Sequence, residues 1–367
     1  MSDTAQLDPY LRDDGPAALV IREYLMPVEG RDGVLFPATF AASPNEGFPG
    51  GYNLDGDPVG TNVCLIDSVG SQANRIEPMF MEERYHGLVP QIVIKAGEKK
   101  VNLLEAGHRA GDAIVRCSEL QQALQDAFNA LLKGDAEPLA KIAPTSLVFG
   151  VWDSRDTQAK LPRLLASTIR ALDVRRLTRS AVYIPPLDYA AEEVFTEEEK
   201  AKAEGDTKNP LAKRGFVHVP ASHSQGGVIA TGGIRRDATL GLAAVRLLRA
   251  GGNEKKTLAL RRYILGLALT AFTRSPSGYL RQGCLLVLDP DRPGERVEVY
   301  TNGKREPFTL THDQALVYAK MAATAFRVGD DRTVDFDKER AKRDVAGEDG
   351  KKAKSKRGKK SEAAEAP

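Results

Sequence analysis

Long apolar runs are missing from this 367-residue chain. No stretch approaches the roughly 20 residues a helix needs to cross a bilayer, and the opening Ser2-Asp-Thr-Ala-Gln lacks the pattern of a secretory signal. The expectation is a soluble, cytoplasmic protein. Cysteine is scarce: Cys64, Cys117 and Cys284 stand far apart with no paired spacing, which argues against a disulfide scaffold or a cysteine-rich zinc module and leaves structural thiols. His218 and His223 lie five apart and His108 and His312 stand alone, with no Cys or carboxylate at ligand spacing, so no metal is assigned. Walker loops, Gly-x-Gly-x-x-Gly fingerprints, Gly-x-Ser-x-Gly elbows and His-Glu-x-x-His helices are all absent. No catalytic residue and no cofactor is therefore expected.

What is present is an α+β mixture long enough to bury a sizeable core. Charge is nearly balanced, with 52 Lys and Arg against 50 Asp and Glu, but residues 338–360 hold a dense Lys/Arg run. Any nucleic-acid surface on the remainder must therefore be local. The basic tail, 338–367, has too few apolar residues to order itself and is expected to be disordered, leaving 1–337 as the folded part. Strands are expected over 17–25, 91–94, 113–115, 146–152, 181–184 and, fully buried, 284–288. Residues 296–300 and 307–310 should form a hairpin about Asn302-Gly303, a pair suited to positive φ. Helices are expected over 118–132, 239–249 and 256–272, after the capping box Thr311-His-Asp-Gln314, and from Pro162 onward with Leu165, Ile169 and Leu172 facing inward. Residues 29–66, rich in Gly, Pro, Asn and Asp, read as a loop arm. Residues 186–230 read as an extended hairpin in which 215–219 faces 227–230, preceded by a charged, mobile insertion at 192–209.

The most organised stretch is 67–78. Val69, Ala73, Ile76 and Phe80 recur at helical spacing, while Ser68, Ser71, Gln72 and Arg75 repeat on another side. One face packs; the other, with Asn74, presents hydrogen-bonding groups beside first-turn amides open to an anion. Pro78 should end or kink the helix. A second set, Arg155, Lys160, Arg163 and Arg170, collects around the helix expected after Pro162. A third, Gly232, Gly233, Arg235 and Arg236, lies where glycine permits close approach to a backbone. Together these suit a protein that grips phosphate and sugar without reading bases. Few aromatics interleave with the cations, so stacking should be minor; Trp152 is expected in the core, with Tyr24 and Phe216 the other candidates.

Ser68-Val-Gly-Ser-Gln-Ala-Asn-Arg-Ile-Glu77 resembles the signature helix of the RAMP-superfamily backbone subunit of type I-G (formerly I-U) CRISPR surveillance complexes. The resemblance continues through Phe149-Gly-Val-Trp-Asp-Ser-Arg155, Lys160-Leu-Pro-Arg163, Ser180-Ala-Val-Tyr-Ile-Pro185 and the Gly-rich segment 224–236, and spans residues 17–327. It implies an RRM-like (ferredoxin-like) core with large insertions: a palm, finger or web loops, and a thumb at 186–230. It also implies a non-catalytic subunit that polymerises head to tail along guide CRISPR RNA and presents it for pairing with target DNA among other complex subunits. RRM domains that read single strands carry aromatic motifs on the sheet, and none is visible here. Two alternatives stay open. Related subunits of type III complexes place a cleaving aspartate on a loop, which draws attention to Asp55 and Asp57, although Asp55-Gly-Asp-Pro58 also reads as a turn; the other alternative is a protein-only scaffold.

Overall fold

The computed structural model describes residues 5–43, 45, 47–57, 60–275 and 277–346. Its first strand, β1 (Ala18–Pro27), buries Leu19, Ile21 and Leu25 on one face and leaves Arg22 and Tyr24 half-exposed on the other. Such alternation is what a strand covered on one side requires. After β2 (Asn62–Asp67) comes α1 (Val69–Ile76); two very long strands follow, β3 (Leu165–Tyr183) and β4 (Val219–Gly241). Next come α2 (Glu254–Thr273), β5 (Cys284–Leu288), β6 (Glu295–Val299) and α3 (His312–Phe326).

All the pairings of β1 are antiparallel: with β4 from Ala18↔Gly241 to Leu25↔Ile234, and on its other edge with β6 and then β5. Strand β4 pairs with β3, and β3 with β2, also antiparallel. The spatial order β5/β6, β1, β4, β3 with helices between is the split βαβ arrangement of an RRM-like core, extended by β2. The expected α+β, ferredoxin-like class is present.

One face of the sheet carries the core. Leu19, Ile21, Leu165, Ala238 and Leu240 pack with α2 and α3 in the larger cluster, and Leu25, Ile169, Ala171 and Ile234 with Leu35, Cys64, Ile66 and Leu286 in a second. Helices α2 and α3 approach closely at Gly266, where a Cβ would lie 2.8 Å from Ala319 Cα.

Several expectations are corrected. The segment expected as a helix from Pro162 is not one, and from Leu165 it is strand: Leu165, Ile169 and Leu172 fit helical spacing, but Ser167 and Ala171 are buried too, and that period of two governs. The polar pair is accommodated because Ser167 Oγ donates to Gln72 Oε1 at 3.0 Å and Thr168 Oγ1 to the Asp67 carbonyl at 3.2 Å. Residues 113–116 are a helical turn capped by Asp112, and 146–149 belong to the helix Pro144–Phe149, which ends at Gly150. Thr239 lies within β4 rather than at a helix start. Strand β5 is buried only at Cys284 and Leu286.

The extended hairpin exists but pairs differently, β3 against β4, with three register shifts along it. Its end is closed by residues 184–218, which are folded rather than mobile. Helices Glu197–Ala203 and Pro210–Lys213 bury Ala203, Ala212 and Val217, and Phe216 meets Tyr189 edge-on at 4.9 Å. The loop arm is pinned to the base of this ribbon: Leu35 and Val228 exchange backbone hydrogen bonds, and Tyr52 Oη accepts from the Gly227 amide at 3.0 Å. Asp57 closes a turn there, its amide donating to Thr61 O and its carbonyl accepting from Asn62. Residues 338–346 are helical, not disordered, and Asp344 pairs with Arg116 at 2.6 Å; the rest of the basic tail lies outside the described residues.

Candidate nucleic-acid interface

Helix α1 begins as its sequence dictates. Ser68 caps it, its Oγ accepting from the Ser71 amide at 3.2 Å, and Pro78 converts its end into a 3-10 turn over Glu77–Met81. Its polar side then divides. Asp67, whose side chain is fully buried, accepts from Gln72 Nε2 at 2.6 Å, Arg75 Nε at 3.1 Å and Arg281 Nη2 at 3.0 Å. Gln72 is thereby an internal strut, and Arg75 is anchored by one edge of its guanidinium. Ser68, Gly70, Ser71 and Asn74 keep an outward aspect.

Beside that outward side lies a cleft of about 640 Å³, walled by residues 107–116 and by a short hairpin of Val151–Trp152 against Lys160–Leu161. Arg163 joins the two features: it lines the cleft, and its Nη2 lies 4.0 Å from where a Cβ on Gly70 would be. Arg109 joins them from below, donating to Asn74 Oδ1 at 3.2 Å while it lines the cleft. Arg155, Lys160 and Arg163 therefore line one cationic cleft, Asn74 is tied to its wall by Arg109, and Ser68 and Ser71 lie on the same helix nearby.

The other expected residues lie elsewhere. Arg236 is buried against Glu23 at 3.0 Å and, with Gln72, Arg75 and Phe272, lines a separate cavity of about 380 Å³ on the helix side of the sheet. Arg170 and Arg235 are cross-strand neighbours on the opposite face, with Arg235 paired to Asp237 at 2.8 Å. The close approach that Gly232 and Gly233 permit is taken by Arg292: it donates to the Gly232 carbonyl at 3.2 Å, would sit 2.2 Å from a Cβ on Gly233, and stacks over Tyr24 at 4.2 Å. Trp152, expected in the core, is 56% exposed.

Sequence reasoning missed Arg109, which sits in Gly107-His-Arg-Ala-Gly111 at φ 55° with no periodic signal. It forms a buried ion pair with Glu77, 2.6 Å apart. Burial pushes the Glu77 carboxyl up to about 7 despite the guanidinium's pull, and burial likewise holds Arg109 below its ordinary value. A raised carboxyl pKa stabilises the fold most below its unfolded value near 4.5, and that contribution is lost as pH rises through about 7. The wild-type protein is thus expected to lose up to about 3 kcal/mol over that interval relative to Glu77→Gln. Urea denaturation of both proteins across the interval measures it; parallel curves would show that Glu77 does not titrate there.

An RRM-like sheet flanked by a cationic groove is a shape suited to holding a polyanion. Residues 19–176 match the family described as CRISPR-associated protein GSU0053, a match that runs from β1 through α1 and the groove into β3 and supports a CRISPR-associated protein. No curated protein matches the chain. Among the described residues, no helix is long and apolar enough to cross a membrane.

Proposed function

We propose that this chain is a non-catalytic backbone subunit of a CRISPR effector, coating guide RNA as a head-to-tail filament and offering it to target DNA beside other subunits. The observation that carries this reading is the cationic cleft lined by Arg155, Lys160 and Arg163 beside the polar helix side of Ser68, Ser71 and Asn74, joined to it through Arg109, all inside the family-matched segment. Small hydroxyl and amide groups beside cations suit phosphate and sugar, whereas a subunit that must hold any guide has no use for base-edge contacts. The β3/β4 ribbon supplies the second element. Val182, Tyr183 and Ile184 are exposed at its end, 56%, 47% and 71% respectively, as a surface for the next copy. An open, heterologous contact of that kind generates a filament rather than a closed dimer.

Lys160 and Arg163 are exposed, so replacing both with Ala should leave the melting temperature unchanged. RNA affinity should fall by about 1.5–3 kcal/mol for each charge-assisted bond lost, and the slope of log affinity against log salt should flatten by about 0.7 per phosphate contact. Filter binding at two salt concentrations reads both. Unchanged affinity and slope would remove the groove from the RNA path, and cleavage of labelled RNA on incubation with magnesium would favour the nuclease alternative.

A further inference from the structure

We infer that Trp152 is a stacking platform for one RNA base in the groove, an inference that rests on the RNA-binding reading above and adds a base contact to it. The hairpin carrying Trp152 is held firmly. Gly150, at φ 80°, lets the chain pass where a Cβ would meet Leu161 O and Arg163 Cγ at 3.0 Å. Asp153, 4% exposed, accepts from the Thr157 amide at 2.9 Å and from Thr157 Oγ1 at 2.7 Å, and closes the turn. Val151 points into the core, so strand alternation turns its neighbour outward.

An indole 56% exposed contributes little to the core that this hairpin serves, and a polar side chain would keep the hairpin equally well. The surroundings indicate what the ring is for. It lies among the cations of the groove, and Lys160, its cross-strand partner, holds its ammonium 5.3 Å from the ring centre. A nucleotide brings both groups that this pair recognises, a flat π-face for the indole and a phosphate for the ammonium. Because every base has a π-face, such a contact tolerates any sequence, as a guide-holding subunit requires.

The chain has one tryptophan, so its emission reports on this site alone when excited at the red edge, away from tyrosine. The full-length protein is titrated with oligouridine, with oligoadenosine and with inorganic polyphosphate, while anisotropy of labelled RNA follows binding independently. Both RNAs should quench the emission, whereas polyphosphate, which can occupy the cations but cannot stack, should not. Trp152→Phe should keep most of the affinity and Trp152→Ala lose about ten-fold. RNA that binds by anisotropy without quenching would overturn the platform and leave the RNA-binding reading intact. RNA that does not bind at all would remove both. Equal quenching by polyphosphate, or a blue shift on raising protein concentration without RNA, would assign Trp152 to a conformational change or to a contact between copies, and either overturns the inference.

Discussion

Replacing Asp67 with Ala is expected to lower the unfolding free energy by about 3–5 kcal/mol, because it removes the single carboxylate on which three buried or half-buried donors converge. Gln72, Arg75 and Arg281 all donate to it, from 2.6 to 3.1 Å, and its side chain is wholly inaccessible to water. Two guanidinium groups would be left facing each other across a hole with no counter-charge. The loss would also reach the groove. Helix α1 is held to the sheet through this residue and through the Ser167–Gln72 bond, so Ser68, Ser71 and Asn74 would lose their fixed position. Asp67→Asn, which keeps an acceptor and the shape, should fall between the two. Urea denaturation gives the stability and filter binding the affinity; a wild-type midpoint for Asp67→Ala would show that water replaces the carboxylate at no cost.

A comparable loss, about 3–5 kcal/mol, is expected for Tyr263→Ala, with no direct consequence for RNA. Tyr263 is fully buried in α2, its ring stacks on Phe326 at 4.6 Å and 14°, and its hydroxyl donates to the Leu88 carbonyl at 2.7 Å. Truncation would open a cavity between α2 and α3 and orphan that carbonyl. Tyr263→Phe keeps the ring and isolates the hydroxyl, whose loss should cost about 1 kcal/mol. The same denaturation series reads both variants, and equal effects from Ala and Phe would mean that the ring packs less tightly than its stacking geometry indicates.

The features legible in the sequence are those decided locally. The Thr311–Gln314 box and the turn at Asn302-Gly303 each involve residues within a few positions of one another, and the structure shows both. Residues 165–172 were ambiguous because Leu165 and Ile169 satisfy a helical spacing and a strand period alike. What decides between them is Gln72, supplied from 95 positions away to receive Ser167. Trp152 is a question of parity: which of Val151 and Trp152 faces inward depends on where the Lys160–Leu161 strand lies. The site divides on the same ground. Placing Ser68 and Ser71 together on one side of a helix needed only periodicity. That Gln72 and Arg75 are committed to Asp67 depends partly on Arg281, 214 positions downstream.

The cap over the β3/β4 ribbon has a mechanical consequence. Its apolar cluster of Ala203, Ala212 and Val217 shares no residue with either sheet cluster. A small cluster of that kind opens at its own free energy, lower than that of the whole chain. The ribbon beneath it extends about 30 Å from Val174 to Tyr183 at ordinary strand rise, and its cross-strand pairing with β4 continues to the end regardless of what the cap does. Reach and opening are therefore set by different parts of the arm. The strand pair fixes how far the arm extends, and the cap can open without breaking that pairing.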